Sequence, residues 1–222
     1  MGCTGAAVPA LRRWLRHCIA SAAAQPPGNP DRYPAQSLSM SESHQQKLRD
    51  RLERMPISDA PSPWSVIGGS SVGGLTDIGF VPNTDDLLVV SSQGRGLFDT
   101  LTGEKLARDS EEFFDNPDQT GMTAPGIGRA DGVAVPLAGL HGGGLPRITR
   151  DGWSITIAQL PWPRHVMFLS SKYAAPYDDS GNSWKICDDG ACEYRMAGFS
   201  PSGRAFVFAS SCELVIYGRD AG

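Results

Sequence analysis

Residues 75–107 read Leu75-Thr76-Asp77-Ile78-Gly79-Phe80-Val81-Pro82-Asn83-Thr84-Asp85-Asp86-Leu87-Leu88-Val89-Val90-Ser91-Ser92-Gln93-Gly94-Arg95-Gly96-Leu97-Phe98-Asp99-Thr100-Leu101-Thr102-Gly103-Glu104-Lys105-Leu106-Ala107, and this stretch decides the fold. Leu75 to Phe80 alternates toward a strand and meets the breaker Pro82-Asn83-Thr84-Asp85. Leu87 to Val90 is a short continuous apolar run, as in a strand buried on both faces. Gln93-Gly94 is a turn, Leu97-Phe98 a third strand centre, Thr102-Gly103 a further turn, and Lys105 to Ala107 a fourth short strand. Short strands at such regular spacing, each bounded by turn residues, predict an antiparallel meander.

The same grammar returns near the C-terminus. Met196 to Phe199 leads into Pro201-Ser202-Gly203, then Ala205 to Ala209, a turn at Ser210-Ser211, and Leu214 to Tyr217. Gly79-Phe80-Val81-Pro82 aligns with Gly198-Phe199-Ser200-Pro201, and Asp99 falls near the slot of Gly218. Spaced self-similarity of this kind marks a repeat architecture. Between the two halves, Gly132 to Ala138, Trp153 to Ala158 and His165 to Leu169 read as strands, and Asp109 to Ala130 reads as a long acidic surface loop. The 26 Gly and 17 Pro of the 222 residues suit many turns and exclude a bundle of long helices.

Residues 61–222 are expected to form this all-β domain. Before it the composition changes. Residues 1–60 carry eight basic and five acidic side chains, against twelve and nineteen in residues 61–222, for an overall charge of −4. Residues 1–39 are expected to be a disordered tail or an over-extended gene start ahead of Met40, with an export signal as the alternative. Arg12-Arg13 and Ala22–Ala24 would serve such a signal, but Cys18 to Ala24 makes a short and weakly apolar core for one. Residues 40–60 predict a short amphipathic helix and linker. Ser43 with Gln46 fits a capping box, Leu48, Leu52 and Met55 share one face, and Pro56 stops the helix. The charge balance excludes a general nucleic-acid binder, and no run is long and apolar enough for a transmembrane helix. The expected compartment is the cytoplasm, or the exterior if residues 1–39 act as a signal.

The motifs with a chemical reading are few. Gly69-Ser70-Ser71-Val72-Gly73 matches the G-x-S-x-G of a nucleophile elbow, and His141-Gly142-Gly143-Gly144 the oxyanion loop of esterases. An elbow needs a strand before the serine and a helix after it, whereas Ser71 is followed by another strand. The Gly69–Gly74 loop also lacks the lysine of a phosphate-binding loop, so it reads as a flexible strand connection. No catalytic residue, metal ligand set or cofactor site is assigned. Asp178-Asp179 and Asp188-Asp189 read as turn residues bonding their own backbone. Asp189-Gly190 predicts a tight hairpin that would oppose Cys187 and Cys192. In an oxidising compartment that pair would be a disulfide; in the cytosol it would be two packed thiols. The binding candidates cluster at Leu140 to Trp153, where a glycine-rich loop carries His141, Arg147, Asp151 and Trp153, with Trp162 close behind. Arg and Trp are enriched in binding hot spots; the competing role for the two tryptophans is as core anchors.

A family resemblance adds to this reading. Phe80-Val81-Pro82, the apolar strand Leu87 to Val90, Leu97-Phe98-Asp99 and Thr102-Gly103 resemble one blade of a WD-repeat-like β-propeller. Asp179-Ser180-Gly181-Asn182-Ser183-Trp184 is similar to the Asp-box of sialidase-type propellers, a structural hairpin turn in those families. The matches cover about 70 residues, and neither candidate blade ends in Trp-Asp. At about 40 residues per blade the domain would hold about four blade-like units, as a minimal ring or an open stack. The resemblance implies a non-catalytic module that binds another protein, such as an adaptor or an immunity-type neutraliser. The acidic domain suits a basic partner. A small glycosidase or esterase on a β scaffold is the rival.

Overall fold

Among the described residues the regular structure is antiparallel β-strands in several sheets, with one α-helix and a short 3-10 turn. The computed structural model describes residues 35–110, 122–160, 164–189 and 192–219. In chain order the elements are α1 (Ala35–Arg54), β1 (Ser65–Ser71), β2 (Leu75–Phe80), β3 (Asp86–Ser91), β4 (Gly94–Asp99), β5 (Lys105–Arg108), β6 (Thr123–Pro125), a 3-10 turn (Gly128–Ala130), β7 (Ala134–Pro136), β8 (Ala138–Gly139), β9 (Ser154–Gln159), β10 (His165–Ser170), β11 (Ser183–Asp189), β12 (Tyr194–Phe199), β13 (Ala205–Ser210) and β14 (Glu213–Gly218). They pair as β5-β4-β3-β2-β8, β1-β14-β13-β12, β11-β10-β9 and β6-β7.

The repeat seen in the sequence is carried into three dimensions. Leu75–Phe80, Asp86–Ser91 and Gly94–Asp99 correspond, at one constant separation along the chain, to Tyr194–Phe199, Ala205–Ser210 and Glu213–Gly218. Both meanders share a register shift at the same place, between Leu75 and Asp77 in one and between Tyr194 and Met196 in the other. Their β-turn bonds also correspond: Val81 N–H donates to the Asp86 carbonyl, and Ser200 N–H to that of Ala205. The fourth strand differs. In the first meander it is β5, the next strand in sequence, whereas β14 pairs with β1 from the other end of the domain. Residues 65–71, expected to end in a flexible connection, are therefore a strand whose partner is distant in sequence.

Alternation along each central strand explains why these strands read as continuous apolar runs. In β3, Leu87 and Val89 join one cluster with Val207, Leu214 and Ile216, while Leu88 and Val90 join another with Ala124, Val135 and Leu137. In β13, Val207 and Ala209 face the first cluster, while Phe206 and Phe208 pack with Trp153, Met167 and Leu169. In β10, Met167 and Leu169 enter that third cluster, and Val166 and Phe168 meet Leu52. Successive side chains point to opposite faces, so a sheet covered on both sides needs apolar residues at every position. Each fully buried Val, Leu or Phe contributes about 1.5–3 kcal/mol.

The outer layers are amphipathic. The expected Leu48, Leu52 and Met55 stripe packs on Leu160, Val166 and Phe168. The helix starts earlier than its Ser43–Gln46 signal, at Ala35: Ala35, Gln36, Leu38 and Met40 are good helix formers, and the first upstream breaker is Pro34. The chain after it runs beside β11, where Ser58 N–H donates to the Lys185 carbonyl at 2.9 Å and covers that edge. Asp109 to Ala130 departs from the expected loop. Residues 111–121 lie outside the described residues, but β6 and the 3-10 turn bury Ala124, Ile127 and Ala130 against β3 and β4. The expectation of about four blade-like units resolves into three meanders and the short β6-β7 ladder. No closed ring of sheets is present among the described residues.

The hairpin expected at Asp189-Gly190 is also corrected. β11 and β12 belong to different sheets, so residues 187 and 192 are not opposed across a ladder. Cys192 is joined instead to Cys212, in the turn between β13 and β14, with 6.2 Å between Cα atoms. Cys187 opposes Met167 on β10. Gly190 itself lies outside the described residues; the strands on either side of it bury their faces in different sheets.

Candidate functional site

The segment 139–153 leaves β8, which pairs with β2, passes the free edge of β12, and enters β9. Its first anchor is Asp77, a fully buried carboxylate. One oxygen accepts the His141 N–H at 3.1 Å, and the other lies 2.7 Å from His141 Nδ1. Leu140 N–H donates to the Thr76 carbonyl at 3.0 Å. Gly143 sits at φ +77°, and a Cβ there would lie 2.0 Å from the Leu137 carbonyl oxygen. Close backbone approach in the left-handed region explains this glycine of the His-Gly-Gly-Gly run without an oxyanion role.

Further along, the Pro146 carbonyl accepts the Phe199 N–H at 2.8 Å, extending the edge of β12. Arg147 donates to the Tyr194 hydroxyl at 2.8 Å. Burial pushes the Tyr194 phenol up, against the nearby Arg147 cation. Asp151 and Arg219 form a two-point pair, with Nη2 donating to Oδ1 at 3.0 Å and Nη1 to Oδ2. The Arg219 hydrogen bonds hold the Asp151 carboxyl well below the usual carboxylate range. Arg219 also donates to the Gly203 carbonyl at 3.0 Å, and its guanidinium lies 4.6 Å from the centre of the Trp64 ring. Trp153 is buried, edge-on to Trp64 at 5.7 Å, and its N–H donates to Thr149 Oγ1 at 2.9 Å.

Of the predicted binding residues, His141, Arg147, Asp151 and Trp153 thus share one segment, and each is engaged by the surrounding sheets. Trp162 lies outside the described residues. The large apolar side chains that the segment turns outward are Leu140 and Ile148, 58% and 62% exposed, beside the exposed His141 and Asp151. Neither apolar side chain was singled out by the sequence, because apolar residues in a strand-rich chain read as core. Asp77 was missed too, although an acid inside an otherwise apolar strand is a signal that a partner must reach it.

The esterase motifs are not brought together. Ser71 lies at the end of β1 over β3, β4 and β5, whereas His141 is tied to Asp77 on β2, at the edge taken by β8. The Asp178 carboxylate accepts the Ala175 and Ser180 N–H groups, as expected of a turn residue in the β10–β11 connection. Among the described residues, no helix is long and apolar enough to cross a membrane, and no three His, Cys, Asp or Glu side chains gather as a metal site. No protein-family model and no curated protein sequence matches the chain.

Proposed function

We propose that this chain is a non-catalytic protein-interaction module, an open, propeller-like stack of WD-like meanders that binds a basic partner protein. The reading is supported chiefly by segment 139–153, held at several points by internal bonds while it exposes Leu140 and Ile148. A loop already fixed in shape loses little conformational entropy on binding, and exposed apolar side chains on it serve as anchors. The charge of residues 61–222, twelve basic against nineteen acidic, adds the electrostatic preference for a cationic partner.

Affinity capture with the full chain as bait tests the reading. The control bait carries Leu140→Ser and Ile148→Ser and is first shown to melt like the parent. The expected result is one basic protein retained in stoichiometric amount, released by salt and lost with the control bait. Equal retention by both baits, or none by the parent, would remove the proposal. The alternative, a small hydrolase, draws on the Asp77–His141 pair, since a carboxylate bonded to Nδ1 orients an imidazole as a general base requires. It predicts ester or glycoside hydrolysis abolished by His141→Gln.

A further inference from the structure

A second feature lies away from segment 139–153, where the end of β1 overhangs β3, β4 and β5. A cleft of about 140 Å³ opens there. The pairing of β4 with β5 runs Gly96 to Arg108, Leu97 to Ala107 and then Phe98 to Lys105, which leaves Leu106 as an extra residue. Without that bulge, residues three apart on a strand would point to opposite faces. With it, Lys105 and Arg108 both line the one cleft.

The charge there is positive among the described residues. Lys105 Nζ lies 3.4 Å from Ser70 Oγ and 5.1 Å from the centre of the Phe98 ring. Neither Lys105 nor Arg108 has an ion pair among the described residues. Arg95 also borders the cleft, but its guanidinium is committed to Asp109 and to the Pro125 carbonyl. Among the described residues, no carboxylate lines the cavity. Lys105 and Arg108 turn two cations into one walled space, a positive feature that an anion would complement. Gly73 and Gly96 leave part of the wall as bare backbone, and Ser71 and Gln93 add polar groups.

We infer that this cleft binds a small dianion of the phosphate class, either inorganic phosphate or the phosphate monoester of a small molecule. Two cations match the charge of about −1.5 to −2 that a phosphate monoester carries at neutral pH. The Arg108 fork can take two oxygens, and Lys105 acts as a point charge on the third. The cavity accommodates the phosphate group and leaves its mouth for the remainder of an ester.

Calorimetric titration of the full chain with inorganic phosphate, and separately with glycerol 3-phosphate, tests this at ionic strength matched with chloride. Saturable binding is expected for at least one probe, weakened about fivefold or more by Lys105→Gln or Arg108→Gln and undetectable in the double variant. Both side chains are exposed, so the variants should keep the parent's circular dichroism and melt. Tighter binding of the ester would identify a monoester as the ligand, and tighter binding of phosphate the free ion. Heats no different from chloride with both probes, or undiminished binding by a folded double variant, would overturn the inference.

Discussion

Reducing or removing the Cys192–Cys212 disulfide should destabilise the domain by a calculable amount. The bridge spans a sequence separation of 20 residues and ties the chain just before β12 to the β13–β14 turn. Closing a loop of that length in the unfolded chain is worth about 3 kcal/mol on the chain-entropy model. The folded state should change little on reduction, because the same junction is also held by the Ser211 N–H bonded to the Glu193 carbonyl at 2.7 Å. With a urea dependence of about 2 kcal/mol per molar, the unfolding midpoint of the Cys192→Ala, Cys212→Ala variant should fall by about 1.5 M. Reductant should move the parent by the same amount and leave the variant unmoved. Peptide mapping under non-reducing conditions should join Cys192 to Cys212, and Cys187→Ala should leave that link intact. A link between Cys187 and Cys192, or a variant as stable as the oxidised parent, would refute the reasoning. The compartment enters here as well: a reducing cytosol would hold both residues as thiols, so the intact mass of protein taken from its native source reports where it resides.

Two further predictions concern backbone and charge. Gly103 and Gly132 have nearly the same backbone, φ +77° and +78°, but a Cβ on Gly103 would lie 2.3 Å from the Ile67 carbonyl oxygen whereas one on Gly132 would meet nothing within 4 Å. Gly132→Ala should therefore cost only the left-handed strain of about 1–2 kcal/mol, and Gly103→Ala a further ~1–3 kcal/mol for overpacking against β1; equal losses in urea unfolding would contradict the β1 placement. Acid should weaken the fold through Asp151 and Asp99. Arg219 lowers the first carboxyl, and although burial opposes it, the Leu101 N–H and Arg129 lower the second. Folded values below the unfolded value of about 3.9 mean stability that is present above that pH and lost as pH falls through the folded values. The melting temperature should decline below about pH 4, and Arg219→Gln should shrink that decline. An unchanged acid profile in that variant would show that the Asp151 pair contributes nothing.

Period and punctuation make most strands of the repeat legible in the sequence. Leu87 to Val90, Ala205 to Ala209 and His165 to Leu169 each fall inside a strand, and the Leu48, Leu52 and Met55 stripe lies against Leu160 and Phe168. These are local signals: a strand buried on both faces needs apolar residues at every position, and a docked helix needs them on one face. Part of the candidate site was equally local, since a glycine-rich segment with charged and aromatic residues is visible as such.

Pairings between distant segments were not legible. Nothing near Ser65–Ser71 announces that β14 is its neighbour, nothing in Asp189-Gly190 reveals that the chain changes sheets there, and nothing at Cys192 selects Cys212 over Cys187. The same holds for Asp77 with His141 and Asp151 with Arg219, which tie expected binding residues to the surrounding sheets. It holds too for the bulge that turns Lys105 and Arg108 to one cleft. Sequence determined which segments are strands and which of their faces seek burial, because those preferences act over a few residues. Only the tertiary structure decided which faces meet, because that choice depends on the apolar area and hydrogen bonds satisfied over the whole stack at once.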